Sequence, residues 1–420
     1  MNQVRVLVVL PFYGGSLPIG RYVAQALRDE GCIVEPFEAP EFFSAFSALR
    51  GLRVSSQRLQ QLENGFLNTV SQAIYAKVEQ FEPDLVLSLA QAPLNRATLR
   101  RLERDKVVTA MWFVEDYQVF PYWRAFAPCY DLFFVIQKAP LLDALKAEGA
   151  TGVYLPLAAL PSFHKPLELD AADRRRYGAD VSFLGAGYPN RRVAFRQLTS
   201  FDFKIWGTEW EGESLLARYV QEEGARIAPE TAVKIFNATR VNLNLHSSVK
   251  AGALVGNGDF VNPRTFEIAA CGAFQLVDSR SLMPELFAED ELATFTSMEE
   301  LLESLGYYLS RPEERRHIAE KSRARVLTEH TYQHRMRTIL ETVRAFRPGW
   351  PSARSASPLP DGLPDPAKEA VQALLARLQL PAHVSFEDLI VRLRQESGTL
   401  NSMETALLFL DEWQKQYARK

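Results

Sequence analysis

Apolar and polar positions along the chain form short runs that alternate with amphipathic stretches. Residues 4–10 carry six apolar side chains around Arg5. This predicts a strand buried on both faces, as in a parallel sheet. A helix is expected over 18–30, closed by Gly31, and a second strand over 32–36. A long helical pattern covers 56–81. Strands are predicted at 84–89, 107–114 and 132–136, with helices at 94–105 and 139–148. Alternation of this kind means a doubly wound sheet.

The alternation restarts near residue 178. Strands are expected at 180–185, 203–207, 241–246 and 273–277. Helices are expected at 191–200, 229–238, 263–271, 298–310 and 312–327. Two α/β halves of similar size predict two domains with a cleft between them. Ligands bind such sheets at the carboxyl ends of the strands. Residues 347–366 are rich in Pro, Ser, Ala and Arg, which reads as a linker. Three amphipathic helical segments follow, near 366–378, 385–396 and 400–418. The expected division is therefore 1–168, 169–346, a linker at 347–365, and a helical appendage at 366–420.

Length and composition agree with this division. At 420 residues, two or three domains are expected at roughly 150 residues each. A net charge of −3 gives no global reason to expect a nucleic-acid partner. Cys32, Cys129 and Cys271 are far apart and form no Cys-x-x-Cys. They frame neither a disulfide scaffold nor a zinc site, and a reducing cytoplasm is the expected compartment. The N-terminus runs straight into a strand, so no signal peptide is expected. No apolar run approaches the ~18 residues of a membrane helix.

The chemistry concentrates in residues 258–278. Asn262 is a good N-cap and Pro263 a good first helical residue. Free amides and the dipole at such a helix start favour an anion such as a diphosphate. Arg264 adds a fork of donors that matches phosphate oxygens. Glu267, about one turn in, can accept from both hydroxyls of a ribose. Asp259 lies eight residues earlier. In the first half, Gly14 and Gly15 follow the first strand. They either let backbone approach a ligand closely or make only a tight turn. Glu115 and Asp116 end a strand and could bind or deprotonate a hydroxyl. His246 reads equally as a ligand contact or a satisfied core histidine. Trp206, Trp210 and Tyr188 read first as core. His330 and His334 have i, i+4 spacing but no further metal ligands. P-loop, Gly-x-Ser-x-Gly and convincing Gly-x-Gly-x-x-Gly signatures are absent from the sequence.

These pieces together resemble a family. Asp259 and Glu267 stand at the two ends of the acid-x7-acid motif of retaining GT-B glycosyltransferases. More narrowly, the chain resembles the CgeB-like bacterial glycosyltransferases. The resemblance is carried by Asp180-Val-Ser-Phe-Leu-Gly-Ala-Gly-Tyr-Pro-Asn-Arg-Arg192, Trp206-Gly207 and Val241-Asn-Leu-Asn-Leu-His246. Asn262-Pro-Arg-Thr-Phe-Glu267 with Cys271-Gly272, and Glu329-His-Thr-Tyr-Gln-His-Arg335, complete it. It covers about 180–345 well and the first half loosely, through Pro11-Phe-Tyr-Gly-Gly15, Trp112-Phe-Val-Glu-Asp116 and Tyr154-Leu-Pro-Leu157.

The resemblance implies a fold and roles. The fold is GT-B: two Rossmann-like, doubly wound domains facing across a cleft, with the helical appendage added. The donor is a nucleotide sugar linked through UDP, GDP or dTDP, bound by the second domain without a metal. Glu267 holds the ribose. Asp259, shorter than the usual Glu, touches the donor sugar. Gly185 with Arg191 or Arg192 grips the phosphates; the arginines could equally be solvated surface. Arg264 and Thr265 lie at the same helix start. Retention at the anomeric carbon is implied. The acceptor, taken up by the first domain, is a polysaccharide, protein, lipid or small molecule. Two rivals stay open: a sugar-nucleotide epimerase or phosphorylase on the same fold, and a non-catalytic scaffold that binds nucleotide sugars. Lys204 and Lys250 carry no lysine motif that would mark a cofactor-dependent phosphorylase. The helical tail could form a homo-oligomer, dock on a partner or pack on its own core.

Overall fold

The computed structural model describes residues 3–249, 258–352, 364–382 and 384–417. The first half comprises β1 (Arg5–Val9), α1 (Ser16–Asp29), β2 (Ile33–Phe37), α2 (Phe43–Ala48), α3 (Ser56–Phe81) and β3 (Leu85–Leu89). It continues with α4 (Arg96–Arg104), β4 (Val108–Phe113), α5 (Trp123–Phe126), β5 (Leu132–Val135), α6 (Leu141–Ala147) and β6 (Gly152–Tyr154). The strands form a six-stranded sheet in the order β2-β1-β3-β4-β5-β6. β1 is buried along its whole length and pairs in parallel with both β2 and β3. That burial on both faces is why Val and Leu fill it after Arg5 without alternation.

The second half opens with α7 (Ala171–Tyr177), β7 (Ala179–Leu184), α8 (Pro189–Phe195), β8 (Phe203–Trp206), α9 (Pro229–Ala238) and β9 (Thr239–Asn244). It continues with α10 (Pro263–Ala270), β10 (Gln275–Asp278), β11 (Ala293–Phe295), α11 (Met298–Leu309), α12 (Pro312–Glu329) and α13 (Tyr332–Phe346). Its five strands are ordered β11-β10-β9-β7-β8. β7 pairs in parallel with β8 and β9, and β10 with β9 and β11. Phe183, Phe195, Phe203 and Trp210 build an aromatic core on β7 and β8. Trp206, by contrast, packs on Tyr177 beneath α9. The architecture is GT-B: two parallel-sheet, Rossmann-like domains and a C-terminal helical region.

Two compact units partition the chain. One holds Met1–Trp112, Ala125–Phe133 and Thr338–Lys420; the other holds Phe113–Arg124 and Phe134–Arg337. The helical region is α14 (Asp365–Arg377), α15 (Phe386–Arg394) and α16 (Ser402–Tyr417). It has its own small core of Val371, Leu374, Leu378, Leu389, Leu393 and Leu407. It also packs on its own chain. Arg5 Nε on β1 donates to Asp388 Oδ1 at 2.8 Å, and Nη2 lies 2.7 Å from the same oxygen. Gln395 Nε2 donates to Val34 O (3.2 Å) and Glu35 Oε2 (2.8 Å) on β2. Of the expected linker, 353–363 lies outside the described residues, as does Lys250. Its start is tied down: Trp350 Nε1 donates to Asp84 O (2.9 Å) and Arg347 Nη1 to Lys106 O (2.8 Å).

Candidate functional site

The start of α10 is held by a buried polar network. Asn262 caps the helix, its Oδ1 accepting from Thr265 N at 3.2 Å. Asn262 Nδ2 donates to Asn244 Oδ1 (2.7 Å), and Asn244 Nδ2 donates to Thr265 Oγ1 (2.9 Å) and Gln275 Oε1 (3.0 Å). Gln275 Nε2 returns to Thr265 O (2.7 Å). Asn244 ends β9, and Gln275 starts β10. Two strands therefore fix the position of one helix terminus. Thr265 is fully buried in this network.

His246 forms the other side. Asn262 N donates to His246 Nε2 at 2.9 Å, so Nδ1 carries the proton and donates to Asp278 Oδ1 at 2.6 Å. Asp278 Oδ1 also accepts from His246 N, and its Oδ2 accepts from Arg280 Nη2 at 2.6 Å. Burial pushes the His246 imidazole below its ordinary value. Burial alone would raise the Asp278 carboxyl, but His246 and Arg280 hold it below the usual range. The pair is therefore a neutral histidine against a carboxylate. Both ring nitrogens of His246 are committed, and it acts on the site through Asn262.

Glu267 lies one turn into α10 and is 3% exposed. Its Oε2 accepts from Arg264 Nη1. Its Oε1 lies 3.9 Å from His164 Nε2. His164 Nδ1 accepts from Leu160 N (3.0 Å), so the proton sits on Nε2 and faces Glu267. Burial lowers the His164 value, keeping the ring neutral. Arg264 is the half-open member of the group, with 37% of its side chain exposed.

The β7–α8 turn is shaped by two arginines. Arg191 is buried and lowered by that burial to about 10, so it stays charged at neutral pH. It donates to Leu245 O from Nε (3.0 Å) and Nη2 (2.7 Å), and to Ala186 O from Nη1 (2.9 Å). Arg192 donates to Gly187 O (2.6 Å), Glu211 O (2.8 Å) and Glu209 O. Both guanidiniums are thus committed to backbone carbonyls around Gly185. Gly207 has φ +116° and comes so close to this turn that a Cβ on it would sit 2.6 Å from Gly185 O. Here the missing side chain is a packing requirement.

Asp259 accepts from Gln137 Nε2 at 2.8 Å. Gln137, 3% exposed, accepts through Oε1 from Tyr117 N at 3.0 Å. Asp116 folds its loop by accepting from Gln118 N (2.9 Å). Gln137 thereby joins the loop after β4 to Asp259, all within the second compact unit. Glu115 accepts from Tyr122 OH at 2.8 Å. In the first unit Gly14 has φ +100°, and Gly15 precedes α1; a Cβ on either would meet nothing within 4 Å. The structure thus brings Glu267, Arg264, Thr265 and His246 together on one helix start. Gly185, Arg191 and Arg192 share the neighbouring turn.

His330 and His334 do not share a helix, because α12 ends at Glu329 and α13 begins at Tyr332. His330 Nε2 bonds Leu286 O (2.7 Å), and its Nδ1 accepts from buried Arg335 (2.8 Å). Among the described residues no group of three or more His, Cys, Asp or Glu side chains gathers as a metal site. No helix among them is long and apolar enough to cross a membrane. Sequence reasoning missed Gln137, His164, Asp278 and Arg280. Gln137, His164 and Asp278 meet Asp259, Glu267 and His246 across long stretches of chain, and Arg280 enters only through Asp278, so no local pattern marks them.

The buried histidines make stability acid-sensitive. Burial, together with the Arg335 charge, pushes His330 down to about 4, and burial lowers His164 and His246 too. The unfolded chain protonates these rings near ~6.5. It therefore binds more protons than the folded chain below that pH, and stability falls as pH drops. At about pH 5, His330 alone is expected to cost about 2 kcal/mol. Urea midpoints at pH 7.5 and pH 5 check this. A His330→Gln variant should show a shallower decline.

The two parallel sheets define a GT-B fold. Residues 169–341 match the family described as glycosyl transferase-like. The spore protein CgeB of Bacillus subtilis (strain 168) is 24% identical over 262 residues, spanning 58% of this chain and 77% of that protein. The chain is similar to CgeB over that span. Sucrose-phosphate synthase from Thermosynechococcus elongatus has a similar fold (TM-score 0.54, 13% identity, 82% of this chain and 99% of that one). So does a glycosyltransferase from Rickettsia africae (TM-score 0.55, 12% identity, 82% and 99%). The Anabaena protein Alr3699/HepE, solved with UDP and glucose, is similar too (TM-score 0.56, 12% identity, 82% and 100%).

Proposed function

We propose that this chain moves a sugar from a nucleotide-sugar donor to an acceptor hydroxyl, with retention at the anomeric carbon and without a metal. The observation that carries the reading is Glu267: a buried carboxylate one turn into a capped helix whose start is fixed by two strands. A ribose presents two adjacent hydroxyls, which match the two oxygens of that carboxylate. The α10 dipole and Arg264 stabilise the diphosphate as negative charge grows on it. Arg191 and Arg192 hold the Gly185 turn in the shape the phosphates approach. Asp259 contacts sugar hydroxyls, and Asp116 binds the acceptor. In the transfer, the bond from the acceptor oxygen to the anomeric carbon forms on the face where the phosphate bond breaks. The acceptor proton passes to the departing phosphate oxygen, so no protein base is needed.

The likeness of Alr3699/HepE, solved with UDP-glucose, makes UDP-sugars the first donors to try, before GDP and dTDP conjugates. A nucleotide sugar at about 100 Kd is expected to add about 2.7 kcal/mol of stability, visible as a raised melting temperature. Turnover with that donor should be unchanged by EDTA, and NMR of the product should show a retained anomeric configuration. The fold is also similar to a UDP-N-acetylglucosamine 2-epimerase from Listeria monocytogenes (TM-score 0.51, 13% identity). A donor whose sugar is converted in the absence of acceptor would favour that reading. Stabilisation without turnover across acceptors would favour a binding scaffold.

A further inference from the structure

Between Glu41 and Glu63 the chain carries no acidic residue and three arginines, Arg50, Arg53 and Arg58, although the whole molecule is net negative. The structure makes this stretch a surface. Every residue from 50 to 58 is exposed. Leu52, Val54 and Leu62 are large apolar side chains left 53%, 45% and 43% exposed. Arg50 Nε bonds Glu63 at 3.2 Å, which lays the turn after α2 against the early turns of α3, close to Leu62 in the chain. Arg53, at φ +50°, pairs with no carboxylate among the described residues, and Arg58 bonds only neutral Gln61 and the Ser55 cap.

Single exposed leucines are ordinary on protein surfaces. Three exposed aliphatic side chains interleaved with Arg53 and Arg58, beside an Arg50 held by Glu63, are a different pattern. They suit a partner that is apolar below and anionic above. From this geometry we infer that the 50–62 face docks on an anionic lipid surface, with Leu52, Val54 and Leu62 entering the headgroup boundary and the arginines on the phosphates. Arginine stems can lie along the acyl boundary while their heads stay with the phosphates. The face continues to the β1 end of the first sheet, because Tyr13, next to Gly14, packs on Phe43 of α2 at 4.7 Å between ring centroids. The inference is independent of the donor assignment and concerns only where the protein works.

The test is sedimentation of the full chain with phosphatidylcholine vesicles and with the same vesicles doped with phosphatidylglycerol. Binding is expected to the doped vesicles only and to fall with added salt. Arg53→Glu/Arg58→Glu should lower it by about 600-fold, counting about fivefold for each of the two charges removed and a similar factor for each of the two reversed. Leu52→Ser/Val54→Ser should also release the protein. All four positions are exposed, so an unchanged melting temperature will show that the variants fold. Absence of binding by the wild-type chain overturns the inference, as does equal binding by either double variant. Equal binding to a soluble acidic polysaccharide, unaffected by Leu52→Ser/Val54→Ser, would assign the face to a polyanion and also overturn it.

Discussion

Glu267→Gln is expected to weaken binding of the cognate nucleotide sugar about 100-fold while leaving the fold intact. The amide keeps the size of the side chain but loses the charge and one acceptor. Hydrogen bonds to a charged group contribute about 1.5–3 kcal/mol each. Losing one and weakening the other gives about 2.7 kcal/mol, or about 100-fold. The loss should fall on the free nucleoside diphosphate as well as on the sugar conjugate, since the proposed contact is to the ribose. A 2′-deoxyribose donor should lose much of its advantage with the wild type and little with the variant. Titration calorimetry measures both. Unchanged affinity and unchanged transfer would remove Glu267 from the site.

The second large effect is on stability. Arg5→Ala should cost about 3–5 kcal/mol, because it strands the Asp388 carboxylate in a buried position. The Arg5 and Asp388 side chains are only 2% and 3% exposed, so water cannot replace the lost partner. Arg5→Met combined with Asp388→Leu should recover most of that loss, because a well-packed apolar pair often equals a buried ion pair. Urea denaturation of the three proteins decides. A loss under about 1 kcal/mol for Arg5→Ala would show that the helical region is held by its other contacts.

Much of the architecture is legible along the chain because its strands are long, apolar and rich in β-branched residues. β1 and β4 are such cases, buried at every position. β6 and β11 are not, since three residues show no period. α13 is carried in the sequence only by the start of a motif. The Asn262 cap is a local feature, and local features can be read directly. Gln137 and Asp259 are 122 positions apart, and His164 meets Glu267 from a segment without regular structure. Such pairings follow from sheet order, which periodicity does not encode. The Arg191 and Arg192 side chains illustrate the same point. Their sequence position suggests donors for phosphate, while the fold engages them with carbonyls at Leu245, Ala186, Gly187, Glu211 and Glu209.

The Gln137 amide spans the gap between Asp259 and the Tyr117 backbone, so the two cannot change independently. A sugar hydroxyl that claims the Asp259 oxygen competes with an amide whose other end grips the peptide just after Asp116. Arrival of the donor would then be signalled to the segment proposed to meet the acceptor, before any acceptor is present. The Tyr117 amide resonance is the natural reporter of that message, and Gln137→Leu should silence it.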